Sequence, residues 1–214
     1  MKEYKNYIFD LDGTLLNTLT DLTNSVNHAL NIHHMPLQSE QEVKRNLGSG
    51  LLKLMEGVVP NAQNNPMFNC VMDAFKEHYL THSMDHTAPY PGVNAMLKRL
   101  KNKGKHIAIV SNKFDAATKQ LAKQFFHGLV DVVVGENMSM GIRRKPHPDG
   151  VNKAMTLIGA NHDDTVYIGD SDVDILTARN SNLPCISVLW GFRTKEFLTE
   201  KGAATFVEHP DEIF

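Results

Sequence analysis

Cysteine is scarce in this chain. Cys70 and Cys185 are the 2 cysteines in 214 residues, and they stand in no spacing used for metal or redox work. That argues against a disulfide-stapled scaffold and for a reducing cytoplasm. Charge of one sign is also missing: 22 Lys and Arg face 24 Asp and Glu, for a net charge of -2. No basic surface argues for nucleic acid, and no charge run argues for a tail. No apolar run approaches the roughly 20 residues that span a bilayer. The start, "MKEYKNYIFD", lacks the apolar stretch of a secretory signal. Repeats and low-complexity segments are absent. The expectation is a cytoplasmic protein with no nucleic-acid or membrane partner, as a monomer or homodimer.

What the chain does contain is a series of short apolar runs, each closed by a polar or glycine-bearing turn. They are "YIFD" (7–10), "HIAIVSN" (106–112), "DVVVGEN" (131–137), "TVYIGDS" (165–171) and "CISVLWG" (185–191). They are rich in Ile and Val and lack clean alternation, as strands buried on both faces should. Helical stretches separate them: 92–104, stopping at Gly104; 115–126, with Asp115 as N-cap; and 148–159, from Pro148 to Gly159. Alternating strands and helices predict an α/β fold, a Rossmann-like parallel sheet flanked by helices. Residues 17–87 differ, with helical periodicity and no convincing strand. They read as a helical cap inserted into a core made of 1–16 and 88–214, with Pro89 and Pro91 in the return linker.

Ligands of open parallel sheets bind beyond the carboxyl ends of the strands. There the sequence places Asp10 and Asp12, then Ser111 and Asn112, then Asp170 and Asp174. Lys145, in "RRKPHPDG", precedes a helix. A charge ending an apolar run costs desolvation energy unless something offsets it. Several carboxylates at one edge suit Mg²⁺, which takes few protein ligands plus water and phosphate. Ser111, Asn112 and Lys145 suit the oxygens of a phosphorylated substrate. Gly13 permits close backbone approach.

These same residues carry a resemblance. "DLDGTL", "SNK", "RRKPHP" and "GDSDVD" resemble the four ordered motifs of the haloacid dehalogenase superfamily, over essentially the whole chain. The 17–86 segment resembles that superfamily's α-helical cap, and "VKRNLGSGLLKLM", "YPGV" and "VLWGF" are similar to the phosphoglycolate phosphatase branch. Asn17-Thr18 stands where the family often carries Asp-Ser. The resemblance implies a Mg²⁺-dependent phosphatase acting on a small phosphorylated metabolite through an aspartyl-phosphate. It implies Asp10 as nucleophile and Asp12 as general acid and base. Mg²⁺ would bind the Asp10 and Asp170 carboxylates and the Asp12 carbonyl, with Asp174 close by and Asp172 the weaker choice. Ser111, Asn112 and Lys145 would hold the phosphoryl group, while Gly13 and Thr14 would shape the loop beneath it.

Within the cap, "LGSGLLK" (47–53) lacks the Walker pattern and reads as a loop facing the substrate. Arg45 or Lys53 could meet the substrate's distal carboxylate or phosphate, or be ordinary surface charges. His78, His82 and His86 repeat at i, i+4, as helical metal ligands can, or as the polar end of a helix does. Trp190 reads as packing. Other activities carry the same core. A pyrophosphatase or nucleotide phosphatase would share it. A β-phosphoglucomutase-like mutase would keep Asp12. A phosphonoacetaldehyde hydrolase-like enzyme would use a cap lysine such as Lys53 but would lack Asp12. A non-enzymatic sensor would have no use for the intact acids.

Overall fold

The computed structural model describes residues 2–213. The chain divides into two compact units, one made of the residues up to Leu16 and from Pro89 onward, the other of Asn17–Ala88.

The first unit is built on β1 (Asn6–Phe9), every residue of which is buried. Two two-residue strands, β2 (Leu16–Asn17) and β3 (Ala88–Pro89), mark where the chain leaves and rejoins this unit. The remaining strands are β4 (His106–Phe114), β5 (Val132–Glu136), β6 (Thr165–Gly169), β7 (Cys185–Val188) and β8 (Phe206–Val207). They form a six-stranded sheet in the order β5-β4-β1-β6-β7-β8, with each pair parallel. The chain first builds outward on one side of β1, then returns to its other side with β6. The reversal therefore falls at β1, where ligand crevices of such sheets form.

The apolar runs become strands because their branched side chains pack on both faces. Ile8, Ala108, Val110, Val134 and Tyr167 of the sheet share one buried cluster with Val151, Ala154, Met155 and Ala178 from neighbouring helices. β4 runs on through Ser111, Asn112 and Lys113, whereas β1 and β6 stop directly before an acid. β1 ends at Phe9, β6 at Gly169 and β7 at Val188. The sixth strand, β8, escapes sequence reading because two residues carry no periodicity.

The helical unit holds α1 (Leu19–Ile32), α2 (Glu40–Arg45), α3 (Leu51–Val58) and α4 (Phe68–His82). Val26, Ala29 and Leu30 of α1 and Val71, Phe75 and Tyr79 of α4 are buried, at the three- and four-residue spacing of one helical face. Ser39 and Glu42 form a reciprocal capping box that starts α2. Leu51–Val58 is helical, so Lys53 lies on a helix and not in the expected loop, ion-paired to Glu56 at 2.6 Å. Arg45 is the exposed last residue of α2.

The three histidines do not form a ligand set. α4 ends at His82, which leaves His86 beyond the helix. His78 stacks on His28 and His82, with ring centroids 4.1 and 4.3 Å apart, and its Nδ1 meets the Ser25 hydroxyl at 3.0 Å. His86 instead joins Asp21. That carboxylate accepts the backbone N–H groups of His86 at 3.0 Å and Thr87 at 2.8 Å, together with His86 Nδ1 at 2.9 Å. Burial alone would raise the Asp21 pKa, but these donors outweigh it and hold the group below its ordinary 3.8. A lowered carboxyl pKa gives stability that is present above the ordinary value and lost as pH falls through the folded one. Asp21→Ala, which leaves those amides without their acceptor, is expected to cost about 2–3 kcal/mol at neutral pH. The deficit should shrink on acidification below roughly pH 4, as the wild type loses the same contribution. Urea unfolding across that range checks it; a difference that does not vary with pH would rule the account out.

The rest of the first unit is helical: α5 (Val93–Asn102), α6 (Asp115–Phe126), α7 (Asp149–Ile158), α8 (Asp172–Asn180) and α9 (Lys195–Glu200). Two caps differ from expectation. Asp115 is the first helical residue and Phe114 the N-cap, because the Asp115 carboxylate is taken by the Gly135 N–H and by Lys119. Pro148 is the N-cap of α7, one position before the first helical turn.

Candidate active site

The sheet register brings the polar residues together. Phe9 is paired with Ile109 on one side and Ile168 on the other. Asp10, Ser111 and Asp170 follow these three residues by one or two positions, so they emerge at one edge. The Asp10 N–H still donates to the Ile168 carbonyl at 2.9 Å, which anchors Asp10 to the sheet. After it the chain turns sharply: the Leu15 and Leu16 N–H groups both donate to the Leu11 carbonyl. Gly13 sits in this turn at φ +87°, and a Cβ there would lie 2.4 Å from Asp170 Oδ2 and 2.7 Å from the Phe192 ring. Only glycine allows the loop to lie this close to Asp170.

Lys145 is the hub. Its side chain is 4% exposed, and its Nζ donates to Asp10 Oδ1 at 2.6 Å, Asp174 Oδ1 at 2.7 Å and the Tyr167 hydroxyl at 3.1 Å. Burial opposes its charge, but Asp10 and Asp174 outweigh that and raise its pKa above the ordinary lysine value. Its backbone is fixed too. The Asn112 carboxamide accepts the Lys145 N–H at 2.5 Å and donates to the Lys145 carbonyl at 3.1 Å. The Asn112 carboxamide thus aligns Lys145, while the Ser111 hydroxyl accepts the Lys113 N–H at 3.2 Å. Neither side chain caps α6.

Asp174 serves three elements. Oδ1 accepts from Lys145 and from the Tyr167 hydroxyl at 3.0 Å, and Oδ2 accepts the Ser171 N–H and hydroxyl at 3.1 and 2.6 Å. With Ser171 it forms the capping box of α8, so Asp174, not Asp172, is the capping acid. Tyr167 is held protonated as a donor, because burial and then Asp174 raise its pKa. Asp170 accepts the Thr14 hydroxyl at 3.1 Å and the Phe192 N–H at 2.7 Å. The Thr14 hydroxyl therefore braces Asp170, while the Trp190 indole N–H donates to the Thr14 carbonyl at 2.9 Å. Tyr167, Ser171, Trp190 and the Phe192 amide are supports to which sequence reading assigns no role in the site, although Ser171 lies in "GDSDVD" and Trp190 and Phe192 lie in "VLWGF". Their side chains or amides reach the site only through the fold.

Oxygens of Asp10, Asp170 and Asp174 lie within 4.8 Å of one another, all buried, the one such group among the described residues. Burial first, and then Asp174, raise the pKa of Asp10 and bring that of Asp170 up to about 7. Three carboxylates against one ammonium leave an excess of two negative charges. A divalent cation fits that excess and that oxygen donor set. Arg45 belongs to the helical unit.

Comparison with known proteins agrees with this geometry. A family model described as haloacid dehalogenase-like hydrolase matches residues 7–188. A phosphoglycolate phosphatase of Aquifex aeolicus is 28% identical over 186 residues, covering 86% of this chain and 84% of that one. One of Caulobacter vibrioides is 31% identical over 204 residues, covering 91% and 83%. The crystal structure of a candidate phosphoglycolate phosphatase from Lactobacillus delbrueckii subsp. bulgaricus superposes with a TM-score of 0.94 at 35% identity, covering 99% and 97%. With its four motifs assembled at one edge of a parallel sheet, this chain belongs to the haloacid dehalogenase-like hydrolases.

Proposed function

We propose that the protein is a magnesium-dependent phosphatase that hydrolyses a small phosphate monoester of the phosphoglycolate type through an aspartyl-phosphate. The observation that carries this reading is the buried contact of Lys145 with Asp10 at the carboxyl end of β1, inside a three-carboxylate cluster. Lys145 holds Asp10 Oδ1, and among the described residues no donor is bonded to Oδ2. Oδ2 is the oxygen that attacks phosphorus. As the new O–P bond forms, the ester P–O bond breaks, and Asp12 gives its proton to the departing alcohol oxygen. In the second step Asp12 takes a proton from water, whose oxygen attacks phosphorus and releases Asp10 and phosphate. Lys145 and the Ser111 hydroxyl offset charge on the phosphoryl oxygens. Asp10, Asp170 and the Asp12 carbonyl would hold Mg²⁺, with Asp174 supporting them. The cation would supply charge neutralisation that lets a carboxylate approach a phosphate dianion.

The test is phosphate release from a panel of small monoesters, with pyrophosphate and phosphonoacetaldehyde included. Turnover of phosphoglycolate or a similar monoester is expected, abolished by chelation and restored by Mg²⁺. Reaction of the phosphonate alone would replace this reading. In that case Lys53 would have to leave its partner Glu56 to act.

A further inference from the structure

The Ser111-Asn112-Lys113 stretch contains a cation with no task so far. The Lys113 side chain is 6% exposed, and its Nζ lies 3.1 Å from Asp12 Oδ1. Lysine ordinarily keeps its ammonium in water, so burying it needs a reason. The pairing of β4 shifts register between Val110 and Phe114, and Lys113 lies in that irregular stretch. Its backbone is pinned on both sides. The N–H donates to Ser111 Oγ at 3.2 Å, and the carbonyl accepts the Thr118 hydroxyl at 3.0 Å. Asp12, by contrast, leads into a glycine turn, outside any regular strand. A fixed cation thus grips the side chain of a loop carboxyl.

We infer that Lys113 is a positioning residue for Asp12: by holding Oδ1 it directs the other carboxyl oxygen toward the leaving-group oxygen of the substrate. The inference rests on the phosphatase reading above. A proton donor works only within hydrogen-bond reach of the oxygen it serves, and a displacement of about 1 Å can cost a hundredfold. A carboxyl can accept from the ammonium at Oδ1 whether or not Oδ2 carries a proton. The contact can therefore persist through both halves of the reaction.

The experiment compares two small substrates that differ in how much they need that proton. Phosphoglycolate releases an alcohol and needs it; acetyl phosphate releases acetate and does not. kcat/KM is measured for both with Mg²⁺, because it reports the steps up to phosphoryl transfer and leaves out hydrolysis of the aspartyl-phosphate. In Lys113→Met, kcat/KM for phosphoglycolate should fall on the order of ten- to a hundredfold, while that for acetyl phosphate changes about twofold at most. Lys113→Arg should recover part of the loss. Both values are read on the same sample, so a partly folded variant leaves their ratio intact, and Lys113→Gln provides a second neutral variant. Equal losses on the two substrates would overturn the assignment and make Lys113 a substrate-anion contact or a packing residue. A wild type that releases phosphate from neither substrate would overturn the phosphatase reading, and this inference with it.

Discussion

Asp10→Asn is expected to abolish turnover, by at least about a thousandfold, while leaving the fold intact. The amide keeps an oxygen for the 2.6 Å bond from Lys145 but cannot form the acyl phosphate. Stability should move the other way. Burial and the neighbouring Asp174 disfavour the Asp10 carboxylate. In the metal-free protein its charge therefore opposes folding at neutral pH, and a neutral isostere relieves that strain, as active-site substitutions often do. The metal-free unfolding midpoint of Asp10→Asn should equal or exceed that of the wild type. Added Mg²⁺ should raise the wild-type midpoint more than that of the variant, because binding to the native state stabilises it. Activity on the monoester panel and thermal unfolding with and without Mg²⁺ decide this. Residual turnover near wild type would remove Asp10 as nucleophile.

The sequence made the sheet legible where side-chain chemistry is local. Five apolar runs could be read from their Ile and Val content, and the helices between them from their periodicity and breakers such as Gly104 and Gly159. The two-residue β8 and the shift of the N-cap from Asp115 to Phe114 were not legible. The first is made by pairing with β7, and the second by an acceptor demand from Gly135 in a different strand. The site divides in the same way. Asp10, Asp12 and Asp170 stand just beyond strands that the pattern marks, and Lys145 stands just before a helix. Tyr167 looks like any core aromatic until Lys145, 22 positions earlier in the chain, is placed against its hydroxyl. Asn112, likewise, shows its tie to the Lys145 backbone only once that loop is placed beside it.

Lys145 should be the residue whose loss is felt most in both activity and folding. Among the described residues it is the one cation whose ammonium bonds to the Asp10, Asp170 and Asp174 group, and its Nζ reaches two of those carboxylates. Lys145→Met keeps much of the side-chain length and removes the charge. Asp10 and Asp174 then face each other and Asp170 without it, and Tyr167 loses a partner. Breaking a buried ion pair from one side costs about 3–5 kcal/mol, because the charge left behind is uncompensated. A loss of that size is expected in the metal-free unfolding free energy. Mg²⁺ should restore part of it, since the cation and the ammonium offset the same excess charge. The loss should also be smaller when Asp10→Asn is present, because one carboxylate fewer is then left unpaired, and residues in one network do not behave additively. Turnover of Lys145→Met should fall with the charge. Urea titrations of the four proteins in this cycle, with and without Mg²⁺, provide the measurement. If Lys145→Met stays within about 0.5 kcal/mol of wild type, the ammonium does not hold the carboxylates together, and the electrostatic account of the site fails with it.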